Sequence, residues 1–248
     1  MIQIERVISK LDEYYARNDM PGAERHLDYW LAEAEMSRDV KGQITVLSEL
    51  AGLCRMMGKG EKALSSADRV LALIEECGLD GTVSGATILI NCATVYAAFG
   101  KDEASLPLFD KARAAYEANL PEGSELFGSL YNNYAAALKD LGRYDDALSM
   151  YERALTIMGS VPDGQCEQAV TYLNMAGVIE ARDGLWDGCE AIEEYVGKAE
   201  ELLDSEALTH DVHYALTCSK CIPVFSYHGF FAFAEELKRR AEEIYARN

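Results

Sequence analysis

The stretch Leu130-Tyr131-Asn132-Asn133-Tyr134-Ala135 runs on to Gly142-Arg143-Tyr144, then Ala147-Leu148 and Tyr151-Glu152-Arg153-Ala154-Leu155. Sequence with helical apolar periodicity lies on both sides of Gly142. The glycine therefore reads as the left-handed residue that closes one helix and turns the chain into the next. The device recurs at Gly58, Gly100 and Gly184, with successive glycines 42 residues apart. Weaker copies stand at Gly229, 45 residues on, and at Asn18, 40 residues before Gly58. Asparagine tolerates positive φ better than other residues with a side chain. The register divides the chain into six units, at approximately 1–38, 39–80, 81–122, 123–162, 163–208 and 209–248.

Seven residues before the turn stand Ala51, Ala93, Ala135 and Gly177. Five after it come Ala23, Ala63, Ser105, Ala147, Cys189 and Ala234. Small residues facing each other let two helices approach closely, as an antiparallel pair requires. Bulk to fill the layer comes from Leu47, Leu89, Tyr131 and Leu173, eleven residues before the turn. Helices of about 16 residues are predicted to begin near Gly42, Ser84, Ser124 and Cys166, with Ser124, Asp163 and Asp211 as N-caps. Pro223 is predicted to interrupt the penultimate helix.

Small residue, Gly, Tyr and Ala at these offsets resemble the tetratricopeptide repeat, a helix-turn-helix unit whose usual period is about 34. The longer period of 42, with Ala104-Ser105-Leu106-Pro107-Leu108-Phe109 and Leu130-Tyr131-Asn132-Asn133, is similar to the long-helix repeats of kinesin light chains. The likeness is strongest over 42–158, lesser over 163–200 and least at both ends. It implies an all-α fold: one domain of twelve helices in six hairpins, stacked as a right-handed superhelix with a concave surface lined by the first helix of each hairpin.

Hydrophobic residues make up 49% and charged residues 26%, so the chain holds enough apolar material for a sizeable core. A net charge of −19 repels phosphate backbones and anionic lipid, which argues against nucleic-acid or membrane-surface partners. No apolar run approaches the roughly 18 residues of a membrane span. The opening Met1-Ile2-Gln3-Ile4-Glu5-Arg6 is not that of a signal peptide. With seven cysteines, an odd number set among apolar neighbours, the reading is of reduced thiols in a cytoplasmic protein.

On the first helix of each unit, the stripe opposite the hairpin partner carries Thr45, Thr87, Ser129 and Thr171, then Ser48, Ile90, Asn132 and Asn174, then Glu49, Asn91, Asn133 and Met175. Nearer the turn stand Arg55, Lys139 and Arg182. This face is polar in the middle and basic at one edge, unlike the acidic whole. An amide side chain can bond both the N–H and the C=O of a passing backbone, whatever its sequence. Asn91, Asn132, Asn133 and Asn174, with Ser48 and Thr87, are thus candidates for holding an extended peptide of a partner protein. The same asparagines would otherwise solvate the helix or bridge neighbouring units. The family resemblance implies the peptide role. Arg55, Lys139 and Arg182 would favour an acidic or phosphorylated ligand. The Lys-and-Asn pattern with which some relatives clamp a terminal carboxylate is missing.

The alternative to a peptide groove is a self-associating scaffold. Phe225, Tyr227, Phe230, Phe231 and Phe233, packed into nine residues, either close the core of the last unit or form a homodimer contact. No metal or cofactor is expected, because His210, His213, Cys218 and Cys221 are strung along one helix and cannot surround one ion. Nucleotide-binding, hydrolase and zinc-protease motifs are absent, and His26, His210, His213 and His228 lie in the end units without a nucleophile pattern. The reading is of a protein without catalytic activity, a sensor acting on phosphorylated partners being the remote alternative.

Overall fold

The computed structural model describes residues 1–247. Among them the secondary structure is all α-helix, in twelve segments that pair as six antiparallel hairpins. Residues Met1–Pro121 and Glu122–Asn248 form two compact units. The first holds α1 (Ile4–Ala16), α2 (Met20–Met36), α3 (Val40–Met56), α4 (Gly60–Glu76), α5 (Val83–Ala98) and α6 (Asp102–Asn119). The second holds α7 (Leu126–Asp140), α8 (Tyr144–Met158), α9 (Gln165–Asp187), α10 (Cys189–Leu203), α11 (Val212–Tyr227) and α12 (Phe231–Tyr245). Within the first unit α3 packs on α2, α4 and α5. Within the second, α9 packs on α7, α8, α10 and α11.

All six predicted turn residues adopt positive φ: Asn18 at 53°, Gly58 at 68°, Gly100 at 72°, Gly142 at 73°, Gly184 at 81° and Gly229 at 87°. At five of them the amide one residue further on donates back into the helix just ended. These bonds run from Asp19 to the Tyr14 carbonyl at 2.9 Å, from Lys59 to Cys54 at 2.8 Å, and from Lys101 to Tyr96, Arg143 to Leu138 and Phe230 to Phe225, each at 2.9 Å. This is the Schellman closure, which satisfies carbonyls the helix end would leave bare. Gly184 bends the continuous helical segment α9 at φ 81° and ψ 166°, so the second helix of hairpin five effectively begins at Leu185.

Helix starts lie within two residues of the predicted ones, but two predicted caps fail. Glu125, not Ser124, precedes α7 and makes no side-chain cap bond. Asp163 takes φ 60°, and Gly164 stands at the cap position of α9. The chain needs a left-handed residue there to turn between hairpins, and a capping residue needs extended backbone instead. Asp211 does cap α11, accepting from the Tyr214 amide at 2.9 Å. Nor does Pro223 interrupt its helix, since α11 runs through it to Tyr227. Proline removes one backbone donor, and the burial of Cys218, Cys221 and Phe225 on both sides of it holds the helix together.

Small residues meet across the hairpins as expected: Ala51, Ala93 and Ala135 are buried, as are Ala23, Ala63, Ser105, Ala147 and Ala234. Cys189 departs, being exposed. In α4, α6 and α8 the buried residues fall 5, 9, 12 and 16 after the turn glycine, as Ala63, Ala67, Val70 and Ile74 do in α4. In hairpin five they are Gly188, Ile192, Val196 and Ala199, so the buried face has slipped toward the turn. A Cβ on Gly188 would meet Cγ2 of Ile179 at 2.8 Å. Its absence lets the backbone approach where the other hairpins insert an alanine or serine.

Of the five aromatics in the last hairpin, Phe225 and Phe233 are buried edge-to-face at 5.0 Å and Phe230 packs against the same core, while Tyr227 and Phe231 are exposed. The outward side of α12 is polar: Arg239 pairs with Glu236 and Glu243, and Arg240 with Glu236 and Asp204. None of the described helices is long and apolar enough to cross a membrane.

Two glycines test the backbone argument. A Cβ at Gly85 would lie 1.9 Å from the Leu79 carbonyl oxygen, so Gly85→Ala must displace backbone and is expected to cost about 2–3 kcal/mol in denaturant unfolding. Gly177 has open space and stands where other units carry alanine, so Gly177→Ala is expected to stabilise by about 0.5–1 kcal/mol. A second test concerns Asp39, 6% exposed, which accepts from the Gly42 amide at 3.1 Å and the Ile2 amide at 2.7 Å. The Gly42 bond first, and the Ile2 bond after it, hold its carboxyl below the usual range against the opposing effect of burial. A depressed carboxylate pKa stabilises fully above the unfolded value of about 4, and that stability is lost as pH falls through the folded value. Asp39→Asn should therefore destabilise at pH 7 by about 1–2 kcal/mol and flatten the loss of stability below about pH 4.

Candidate functional site

The candidate residues divide between the two units. In the first, Ser48 on α3 is half-buried, Asn91 on α5 is exposed and Ile90 beside it is buried. The Thr87 hydroxyl shares a hydrogen bond with the Tyr116 hydroxyl at 2.9 Å and so ties α5 to α6. Arg55 is exposed, near the turn end of α3. Glu49, on the same stripe, is half-buried. Burial, and after it the nearby negative charge of Asp12, raises its pKa above the usual carboxylate value. The middle of this face is therefore not uniformly uncharged.

In the second unit α7, α9 and α11 pack in succession and form a cleft of about 280 Å³. Asn132, Asn133 and Asn174 line it together with Ser129, Glu167 and Lys220 add charge, and His213 adds an imidazole. Met158 and Cys166 are its buried floor. Burial pushes the Cys166 thiol up to about 11, so at neutral pH it stays protonated and packs as an apolar group.

Within the cleft the three asparagines differ. Asn132 donates to the Gly128 carbonyl at 3.2 Å, and its Oδ1 accepts from the Thr171 hydroxyl at 3.0 Å, which bridges α7 to α9. Asn133 donates to the Ser129 carbonyl at 2.9 Å one turn back, and its amide oxygen takes no hydrogen bond from a described residue. The side-chain amide of Asn174 makes no hydrogen bond to another described residue. Met175, on the same stripe, is buried.

The basic edge is unequal as well. Arg182 donates to both carboxylate oxygens of Asp183 at 2.9 Å and to Asp145 at 3.0 Å, so its guanidinium is already engaged. Lys139 stands 3.6 Å from Asp140. Lys220 forms no ion pair among the described residues and lines the cleft. It stands nine residues before Gly229, the offset occupied by Asn91 and Asn133 in their units, so the register carried through to the sixth turn points to it. His213 and Glu167 pair across α11 and α9 at 2.9 Å, a contact that depends on the packing of these two helices.

Cys218 and Cys221 are buried, and His210 stacks on Tyr214 with ring centres 4.3 Å apart. Among the described residues no group of three or more His, Cys, Asp or Glu is arranged to hold a metal ion. Of the remaining histidines, His26 faces the Val7 carbonyl at 3.0 Å, and His228 packs on Tyr227 at 5.0 Å.

A family model for the tetratricopeptide repeat matches residues 42–118 and 126–187. Among solved structures, the chain is similar to a Podosopora anserina kinesin light chain with nearly identical TPR-like repeats, at 16% identity and TM-score 0.55, over 82% of this chain and 95% of that one. It is similar to BtubC (BKLC) from P. vanneervenii at 20% identity and TM-score 0.55, over 94% and 91%. It also resembles the quorum sensor NprR of B. thuringiensis in its apo form, at 15% identity and TM-score 0.60, over 98% of this chain and 66% of that one. NprR has also been solved in complex with its cognate peptide NprX. No curated protein sequence matches the chain.

The cleft geometry separates the amide that bridges two helices from those that do not. Asn132→Ala removes the α7–α9 bridge and is expected to lower unfolding stability by about 0.5–1.5 kcal/mol. The Asn133→Ala/Asn174→Ala pair removes one solvated local bond and is expected to change it by less than about 0.5 kcal/mol.

Proposed function

We propose that this chain, which belongs to the tetratricopeptide-repeat family, is a non-catalytic interaction module that holds an extended segment of a partner protein in the cleft of α7, α9 and α11. The observation that carries this reading is the open amide chemistry of Asn133 and Asn174 in a half-buried cleft with an apolar floor. A peptide backbone presents alternating donors and acceptors, and amides that are already positioned lose little entropy in meeting them. The NprR–NprX complex supports the reading by analogy of fold, since that protein holds a peptide on a similar scaffold.

Lys220 gives the cleft a preference for an acidic residue. Its ammonium lacks a carboxylate partner, and the nearest acid lining the cleft, Glu167, is held by His213. On the first unit, Asn91, Ser48, Thr87 and Arg55 offer polar groups of their own, which we take as contacts for a partner segment independent of the cleft. Arg182, occupied by two carboxylates, contributes to the fold of its own unit before it contributes to any ligand. Seven cysteines, five of them buried, suit a reducing compartment, and we take the cytoplasm as the setting.

Recovery of a partner on immobilised protein, followed by titration of its bound segment, tests this reading. Asn133→Ala/Asn174→Ala is expected to weaken binding by about 1–3 kcal/mol without loss of fold. Lys220→Gln should weaken an acidic segment and leave one with its acids replaced by amides unaffected. Equal affinities for wild type and the double variant would reject the cleft and favour self-assembly as the use of these repeats.

A further inference from the structure

A second cleft, of about 310 Å³, opens on the turn edge of hairpins five and six. Leu185, Cys189 and Ile192 line it from one hairpin, and Tyr227, His228 and Phe230 from the next. None of these residues lines the asparagine cleft. Of its lining, Tyr227 is 61% exposed and Leu185 48%, and Trp186, next to Leu185 in the chain, is 91% exposed. Single exposed apolar residues are ordinary on any surface, but a tyrosine and a leucine in one concavity, with a bare tryptophan adjoining the leucine in the chain, are not. The slip of the buried face in hairpin five shapes this concavity. With Gly188 and Ile192 turned inward, Cys189 is left outside, at an offset from the turn that the other hairpins bury.

Charge decides what could cover the patch. Glu193 lines the cleft, and Asp187 and Glu190 stand in the same stretch of chain as its lining residues Leu185 and Cys189; all three acids are exposed and without an ion-pair partner among the described residues. Glu180 accepts from the Tyr227 hydroxyl at 2.6 Å on the same edge. The guanidinium of Arg182 is spent on Asp183 and Asp145. A second copy of this chain would bring the same carboxylates and a further charge of −19 against them. We propose that this cleft is a second docking surface, one that takes a protein segment carrying an aliphatic or aromatic side chain flanked by lysine or arginine. The apolar side chain fills the space over Ile192 and stacks on Trp186, and the flanking cations pair with Glu190 and Glu193. Aromatic anchors ringed by complementary charge are what concentrates binding energy and guides encounter at protein interfaces.

The probe is a capped peptide with Leu and Phe at its centre and arginines on both sides, compared with the same peptide carrying glutamates. Trp186 reports occupancy directly, its signal being the difference in emission between wild type and Trp186→Phe. The arginine peptide should bind saturably, shift that emission to shorter wavelength and weaken with salt. Glu190→Lys/Glu193→Lys should weaken it at least about tenfold, and reversal of an exposed pair on the other unit that lines neither cleft, Glu75→Lys/Glu76→Lys, by less than about threefold. All the substituted side chains are exposed, and circular dichroism confirms that the variants fold. The proposal is overturned if the arginine peptide fails to bind at about millimolar concentration, if the two peptides bind alike, if Trp186 emission does not move at saturation, or if both charge reversals act equally. Sedimentation showing a dimer that Trp186→Ala dissolves would overturn it too, by making a second copy the occupant.

Discussion

A residue held at positive φ at the end of each first helix is the constraint on which the molecule depends. From Asn18 at 53° to Gly229 at 87°, this one backbone conformation reverses the chain within a few residues, and five of the six reversals are locked by an amide that reaches back into the helix just ended. A reversal that tight leaves two helices no choice but to pack side by side. They can do so only where small residues let the backbones approach, and so Ala51, Ala93 and Ala135 before their turns, and Ala23, Ala63, Ser105, Ala147 and Ala234 after theirs, are buried. Removing the conformation would remove the antiparallel pairing, and with it the apolar face that each hairpin offers to its neighbour.

Hairpin five shows how far one position can be altered while this scheme stands. Its turn glycine keeps the left-handed conformation, yet the second helix meets the first through Gly188, and its buried residues slip toward the turn. The core loses nothing, because Ile192, Val196, Ala199 and Leu203 fill it. The surface gains an exposed Cys189 and a cleft. A change in helix phase that would read as noise in a repeat alignment becomes a chemical feature once the neighbouring hairpin brings Tyr227 and Phe230 beside it.

The asparagines carry the same lesson from the other side of the hairpins. Asn132 and Asn133 are adjacent in sequence, of one type, and both line the cleft. One spends its amide oxygen on the bridge to Thr171, and the oxygen of the other takes no hydrogen bond from a described residue. Adjacent residues on a helix point about 100° apart, so Asn132 reaches the helix of the following hairpin and Asn133 does not. Binding chemistry and structural chemistry are thus divided between neighbours of the same type.

The sequence by itself determined the all-α class, the six hairpins and the turn residues, because a 42-residue register of glycine and small side chains leaves a mark that recurs in four full copies. It placed Asn132, Asn133 and Asn174 on one face for the same reason, since helical periodicity depends only on spacing along one element. Tertiary structure alone decided which amides are spent and which are open. It decided that Arg182 is occupied by Asp145 and Asp183, that Asp163 serves a turn instead of a cap, and that α11 continues through Pro223. It also joined Lys220 and His213 to the asparagines of two earlier helices and set Trp186 outside the core. Each of these outcomes depends on side chains some 37 to 88 residues apart in the chain, or on a competition between local backbone preference and packing, and neither quantity is written in the spacing of one helix.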